Sequence, residues 1–189
     1  MAWSLKRLFR HSDRTLAAQK LYNTAVNQAR SVSFFSQLSV PDTVIGRFDM
    51  ISLHVFLIAH RFVKEPTAQE VSESFCAAFF SDLDRNMREM GVGDLSVGKK
   101  VKKLAEGFYG RAGAYEGALN GQGDPMETVL ARNVFGGEDP GAPVLAILSD
   151  YVVRNVEGLA TQSLATLMAG EAQFTPAPEL ADGESEGAL

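Results

Sequence analysis

The residues with the greatest chemical potential in this sequence are its three histidines, His11, His54 and His60. His54 and His60 are six positions apart in one apolar segment, so on a helix they point about 120° away from each other and cannot share a metal ion. The sequence also lacks H-E-x-x-H, Walker A, G-x-G-x-x-G and G-x-S-x-G patterns. We therefore predict structural or solvent-facing histidines, and no metal or cofactor.

The carboxylates and the single cysteine offer no better candidates for catalysis. Asp82 and Asp84 are two positions apart, so their side chains diverge on a helix. Cys76 is the only cysteine, which excludes an internal disulfide, and it falls in an apolar helical pattern typical of a small core residue. We predict that the protein is not an enzyme and has no small-molecule substrate.

The composition is that of one globular domain: 189 residues, of which 46% are apolar and 22% charged. The formal net charge is −5, but the first fourteen residues are mostly basic and every charged residue from Glu171 onward is acidic. No stretch approaches the roughly eighteen uninterrupted apolar residues of a membrane span, and the start has no signal-peptide core. We predict a cytoplasmic protein, at the cytoplasmic face of the inner membrane if its N-terminus touches lipid.

The elements that position these residues are predicted to be helices throughout. Apolar residues recur every three to four positions and predict helices over about 14–30, 44–64, 67–90, 97–119, 125–135 and 143–169. We expect an all-α, compact bundle of about six helices. The predicted helical domain covers 14–170, preceded by a basic amphipathic N-terminal segment at 1–13 and followed by a disordered acidic tail at 171–189.

Two surface features of these helices indicate partner binding. In the first, Arg47, His54 and Arg61 are seven positions apart, which places them along one edge of the second predicted helix. Three groups able to carry positive charge beside an apolar helix either bridge neighbouring helices or receive an acidic or polar client segment.

The second feature is the outer face of the fourth predicted helix. Lys99 and Lys103 lie at its start, and Gly110, Gly113 and Gly117 continue the same face. Each exposed helical glycine costs about 1 kcal/mol relative to alanine, and small residues let another helix pack closely. We predict a smooth docking strip with a lysine-rich entrance, unless another helix of the same domain fills it.

The N-terminal ten residues form a short amphipathic pattern. Leu5, Leu8 and Phe9 fall on one side, and the basic residues fall on the other. Such a segment rests on an anionic membrane surface or binds ribosomal RNA, or it is simply a frayed terminus.

Several strings, in their order and spacing, complete the pattern. They are Leu21-Tyr22, Gln28-Ala29-Arg30, Val40-Pro41-Asp42-Thr43, Gly46-Arg47-Phe48-Asp49, Leu53-His54, Asp84-Arg85, Arg88-Glu89-Met90-Gly91-Val92-Gly93-Asp94, and Phe108-Tyr109-Gly110-Arg111 with Ala114-Tyr115. Together they resemble the ubiquinol–cytochrome c chaperone family, well over about 20–120 and loosely over the last predicted helix. The lack of a presequence and hydrophobic anchor resembles bacterial members.

The resemblance implies an assembly chaperone of the cytochrome bc1 complex that binds newly made cytochrome b and has no catalytic residues. Mitochondrial members bind near the ribosomal tunnel exit and work with a small partner protein, so both are implied as further partners. We expect the surface that includes Arg47, His54, Lys99, Lys103, Gly110 and Arg111 to be used.

Two other functions stay open from the sequence. The bundle interior near His54 is a candidate site for haem or quinone, which requires a sizeable internal cavity. A peripheral membrane scaffold would instead act through residues 1–10 alone.

Overall fold

The computed structural model describes residues 2–179, and for residues 2–12 it describes the backbone alone. Six long helices form the body: α1 (Ala2–Ala29), α3 (Val44–Phe62), α4 (Gln69–Glu89), α5 (Asp94–Leu119), α6 (Met126–Val134) and α7 (Ala142–Thr161). A five-residue helix, α2 (Val32–Ser36), and a 3-10 turn at Pro66–Ala68 lie between them, and a second five-residue helix, α8 (Leu164–Met168), follows α7. Residues 2–179 contain no strand, and the predicted all-α bundle of about six helices is confirmed.

Helix α3 is the central element of the bundle. It begins where Thr43 caps it, because the Thr43 hydroxyl accepts a hydrogen bond of 3.0 Å from the Gly46 backbone N–H. Gly46 is required there, since a Cβ at this position would lie 2.0 Å from the Pro41 carbonyl oxygen. From this start α3 packs against α1, α4, α5, α6 and α7, so most of its sides are covered.

An aromatic cluster holds α1, α3, α4 and α5 together. The ring of Phe79 on α4 lies 6.1 Å from Tyr22, 6.2 Å from Phe48 and 5.2 Å from Phe108, centroid to centroid. Each aromatic pair adds about 0.5–1.5 kcal/mol beyond the apolar area that it buries. The cluster therefore fixes one side of α5 against the body.

The backbone runs without a break through the predicted N-terminal boundary at residue 13, since α1 is continuous from Ala2 to Ala29. Arg14 is ion-paired with Glu70 at 2.7 Å, and the Tyr22 hydroxyl donates to Asp82 at 2.7 Å, so α1 lies along α4. The predicted amphipathic face of residues 1–10 lies outside the described side chains.

Residues 171–179, here called the C-terminal strap, differ from the prediction of disorder from Glu171 onward. The Gln162 side chain exchanges two hydrogen bonds with the backbone of Gln173, at 2.7 and 2.9 Å. At Thr175 the backbone N–H donates to Asn155 and the carbonyl accepts from Gln28, both at 2.9 Å. The strap is therefore an extended, bound segment, while the remaining tail at 180–189 lies outside the described residues.

The strap is bound because its polar backbone and its one aromatic side chain both find partners. Phe174 packs edge-on against the His54 ring with centroids 5.1 Å apart. Upstream, Gly170 has a φ of +91° and passes so close to α1 that a Cβ would lie 2.8 Å from the Ala17 backbone. A composition rich in proline, alanine and acids predicts disorder only when such partners are absent.

Across residues 2–179, no helix combines the length and apolarity that are needed to cross a bilayer.

Candidate functional site

The predicted row of Arg47, His54 and Arg61 does not form one surface edge, because His54 is fully buried. Its Nδ1 lies 2.8 Å from the Met50 carbonyl oxygen, and its Nε2 lies 2.8 Å from the Tyr151 hydroxyl. The prediction that His54 takes part in partner binding at the surface is therefore wrong. A seven-residue spacing places residues on one side of α3, but α7 and the C-terminal strap cover that side at His54.

His54 is also unsuited to hold a haem iron. The rings of Phe34, Tyr151 and Phe174 surround it, with centroids 5.6, 5.8 and 5.1 Å away. Both ring nitrogens already have partners, so neither is free to bind a metal. Burial lowers the pKa of His54 to about 4, which keeps the ring neutral near pH 7.

The two arginines of the row have different roles. Arg61 donates from Nε to the Leu159 carbonyl at 3.1 Å and from Nη1 to Glu65 at 2.8 Å, so it satisfies the C-terminal end of α7. Arg47 is half exposed, pairs with Asp42 at 2.6 Å and lies 5.4 Å above the centre of the Phe35 ring. Arg61 is therefore a structural bridge, whereas Arg47 is available at the surface.

Arg111 faces inward from α5 rather than outward. Its Nη2 lies 2.8 Å from Oδ1 of the buried Asp49, and its guanidinium lies 5.8 Å from the centre of the Phe48 ring. Burial raises the pKa of Asp49 to about 6, although the Arg111 charge acts in the opposite direction. Arg111 therefore anchors α5 on α3.

The outward face of α5 is open along most of its length. Lys99, Lys103, Gly110 and Gly113 are all exposed, and a Cβ added at either glycine would meet no described atom within 4 Å. Gly117 is half-buried, because a Cβ there would lie 3.9 Å from the Gly123 Cα. We call Lys99, Lys103, Gly110 and Gly113 the α5 strip.

The sequence left two alternatives for this face, a docked partner or another helix of the same domain. Within residues 2–179 no other helix packs against Gly110 and Gly113. The turn after α5 comes close to Gly117, but it does not reach Gly110 or Gly113. Docking of a partner on the α5 strip therefore stays a prediction, now with a defined open surface.

Sequence reasoning missed three exposed apolar side chains on α5 and in the turn before it. Leu95 is 97% exposed, and Met90 and Tyr109 are each 60% exposed. A helical projection could have found Leu95, because at 100° per residue it falls near Lys99 and away from the core positions Val97 and Val101. These three residues add exposed apolar surface to α5 and to the turn that precedes it.

Known proteins share the helical elements described above. Residues 36–174, from the end of α2 to the C-terminal strap, match the profile of the ubiquinol–cytochrome c chaperone family. The chain belongs to this family. The resemblance seen in the sequence is thereby confirmed, and the match includes the α5 strip.

Two relatives extend the comparison. The chain is 24% identical over 166 residues to ubiquinol-cytochrome-c reductase complex assembly factor 1 of Xenopus laevis, covering 87% of this chain and 83% of that protein. The crystal structure of the Cbp3 homolog from Brucella abortus is similar with a TM-score of 0.80 and 35% sequence identity. That alignment covers 93% of this chain and 97% of the Brucella chain, so the whole helical body is shared.

Proposed function

We propose that the protein is an assembly chaperone of ubiquinol–cytochrome c reductase, the cytochrome bc1 complex, and that it binds cytochrome b rather than catalysing a reaction. The observation that carries this proposal is the family match over residues 36–174, which spans the core and the open face together. The relative from Xenopus laevis, named as an assembly factor of that complex, supports the same function.

The α5 strip is the surface that we propose for the client. A membrane subunit that has not yet met its partners exposes apolar helices, and such helices pack most closely against a surface without Cβ atoms. Gly110 and Gly113 present bare backbone with no described atom in the way. Holding a client there needs a rigid platform, which the Phe79 cluster and the Arg111–Asp49 contact provide behind the strip.

The cations of the predicted surface divide between two roles in this proposal. Lys99 and Lys103 stand at the N-terminal end of the α5 strip, and Arg47 is a separate exposed cation on α3. We retain these three as candidate contacts for polar or acidic client segments. Gly117 lies beyond the strip, where the turn after α5 covers the helix, and Arg111 supports the strip from behind.

A gene deletion tests the proposed function. The strain is expected to contain less assembled bc1 complex, seen as a weaker cytochrome b band in reduced-minus-oxidised spectra, and to degrade cytochrome b faster in a pulse-chase. Reintroduction of the wild-type gene should restore both. Normal bc1 content and normal cytochrome b lifetime in the deletion strain would refute the proposal.

A double substitution, Gly110→Leu with Gly113→Leu, tests the α5 strip in that strain. The leucines fill the open face while favouring the helix, so the variant should fold with unchanged or higher stability and yet fail to restore bc1 content. The matched control is Gly158→Leu on α7, where an added Cβ also meets no described atom within 4 Å. Full complementation by the double variant would remove the strip from the proposal.

The resemblance also implies a ribosome and a small partner protein, and we propose both as further contacts of a cytoplasmic protein at the inner face of the membrane. Affinity purification from cells, followed by identification of bound proteins, tests them together with cytochrome b. Cell fractionation tests the location. Recovery of cytochrome b without ribosomal proteins would restrict the chaperone to a step after synthesis.

A further inference from the structure

We propose that the hairpin between α4 and α5 is a membrane-contacting tip that rests on an anionic phospholipid surface. The tip comprises residues 87–103: the end of α4, the turn at Gly91–Gly93 and the start of α5. It goes beyond the proposed function, because it needs no cytochrome b.

The hairpin lies outside the hydrophobic core over most of its length. Between Phe79 and Phe108, Val97 is the only buried residue. The ring contacts that join α4 to α5 involve only the base of the hairpin, at Phe79, Phe80, Phe108 and Tyr109. Beyond this level the remaining residues of α4 and α5 other than Val97 are exposed or half-buried.

Two apolar side chains stand in solvent at the turn itself. Met90 precedes the turn and is 60% exposed, and Leu95 follows it and is 97% exposed. The turn brings them to the same end of the hairpin, where Gly91 takes a φ of +79°. Most of Met90 and nearly all of Leu95 are uncovered by residues 2–179, so transfer of these side chains from water to an apolar phase would be favourable.

Four lysines follow Leu95 on the first turns of α5. Lys99, Lys100, Lys102 and Lys103 are all exposed. Of these, Lys99, Lys100 and Lys103 make no ion pair with a described residue. Lys102 makes only a long contact of 3.9 Å with the exposed Glu106. Such surface contacts contribute little, so the lysine charges remain available to a partner.

Basic residues outnumber acidic ones in the tip, because residues 87–103 contain Arg88 and four lysines against Glu89 and Asp94, a formal net charge of +3. Arg88 pairs with both Asp84 and Asp94, and Arg85 pairs with Asp82. The tip is therefore positive, although the whole chain has a formal net charge of −5. Charge complementarity favours an anionic partner at this end of the molecule.

The combination of apolar and cationic side chains favours lipid over nucleic acid. On α5, Leu95 lies within about 80° of Lys99 and Lys103 around the helix axis, so one face carries both. In an anionic bilayer the lysines meet headgroups while Leu95 and Met90 enter the acyl boundary. An RNA surface would use the lysines but would leave the two apolar side chains in water.

Vesicle flotation of the full-length protein tests this contact. The wild type is expected to bind vesicles of phosphatidylcholine mixed with phosphatidylglycerol, more weakly at high salt, and not to bind phosphatidylcholine alone. Lys99→Ala with Lys103→Ala should weaken binding about thirtyfold, since each lysine contributes about fivefold. Leu95→Ser should weaken it by roughly tenfold.

Matched controls separate the tip from the rest of the surface. Val63→Ser removes another exposed apolar side chain, at the end of α3, and should leave binding unchanged. Lys6→Ala with Arg7→Ala tests the basic N-terminal segment in the same full chain. All these positions are exposed or terminal, and thermal unfolding confirms that each variant is folded.

A fluorescence measurement locates the inserted residue. In a Trp3→Phe background, Leu95→Trp provides the only tryptophan, whose emission should shift to the blue on addition of anionic vesicles. Absence of the shift, or binding that only the N-terminal variant weakens, would overturn the proposal. Weaker binding to RNA for the lysine variant, with unchanged vesicle binding, would assign the tip to nucleic acid instead. Cytochrome b is absent from these assays, so their failure leaves the proposed chaperone function untouched.

Discussion

Helices α3 and α5 contact each other but have opposite roles. Along the 19 residues of α3 nearly every side is covered, and even His54 and Asp49 are buried. Along the 26 residues of α5 only Val97, Phe108 and Tyr115 are buried. The contrast teaches that the fold is determined around α3, whereas α5 is attached by one side and leaves the other side free for contact.

The two helices also gain their stability differently. The residues of α3 are mostly large and apolar, so burial holds it in place. Helix α5 contains Gly98, Gly107, Gly110, Gly113 and Gly117, each of which costs about 1 kcal/mol in an exposed helix. It is helical because its narrow apolar side packs on α4 and α3, not because its residues favour helix.

The largest expected effect separates core from open face. Phe79→Ala should lower the free energy of unfolding by about 3–5 kcal/mol, because the ring is fully buried among Tyr22, Phe48 and Phe108. Leu95→Ala, at a 97% exposed position, should change it by less than about 0.5 kcal/mol. Urea unfolding measures both free energies. Similar losses of stability for the two variants would contradict the distinction between the buried core and the open face of α5.

A pH effect tests the burial of His54. Its folded pKa of about 4 lies below the unfolded value of 6.5, so the unfolded chain binds the proton first as the pH falls. The contribution of the neutral His54 to the free energy of unfolding is complete above pH 6.5. Roughly 3 kcal/mol of it is lost as the pH falls from 6.5 to 4. The buried Asp49, with a pKa raised to about 6, acts in the opposite direction over pH 3.8–6.

Comparison of the wild type with His54→Gln isolates the histidine, because Asp49 contributes to both proteins. The difference in unfolding free energy between them should shrink as the pH falls from 6.5 to 4. Titration of the His54 ring by NMR gives an independent value in the wild type. A ring that titrates near pH 6.5 would contradict the buried position.

A smaller effect contrasts two glycines. Gly46→Ala should destabilise the protein by about 1–3 kcal/mol, since the new methyl group meets the Pro41 carbonyl at 2.0 Å. Gly110→Ala, in open space, should instead stabilise it by about 0.5–1 kcal/mol. Thermal unfolding distinguishes the two signs, and destabilisation by Gly110→Ala would mean that the α5 strip is covered.

Local periodicity explains what could be predicted from the sequence. The core stripes of α3, α4 and α5 follow from apolar residues every three to four positions, and the open face of α5 follows from the lysines and glycines opposite Val101 and Phe108. Thr43 directly precedes α3 and caps it, in the position where hydroxyl residues are preferred. These features depend on residues that are close in sequence.

The features that could not be predicted depend on residues far apart in the chain. The spacing of Arg47, His54 and Arg61 defines a side of α3 but does not reveal that α7 and the C-terminal strap cover it at His54. The strap itself is held by Gln28, Asn155 and Gln162, which no local pattern links to it.

Photo-crosslinking from the open face of α5 tests the central claim most directly. A benzoylphenylalanine placed at position 110 or 113 should crosslink to newly made cytochrome b in cells, whereas the same group at position 158 on α7 should not. Equal crosslinking at 158, or no cytochrome b at 110 and 113 in a protein that still restores bc1 content, would contradict the account.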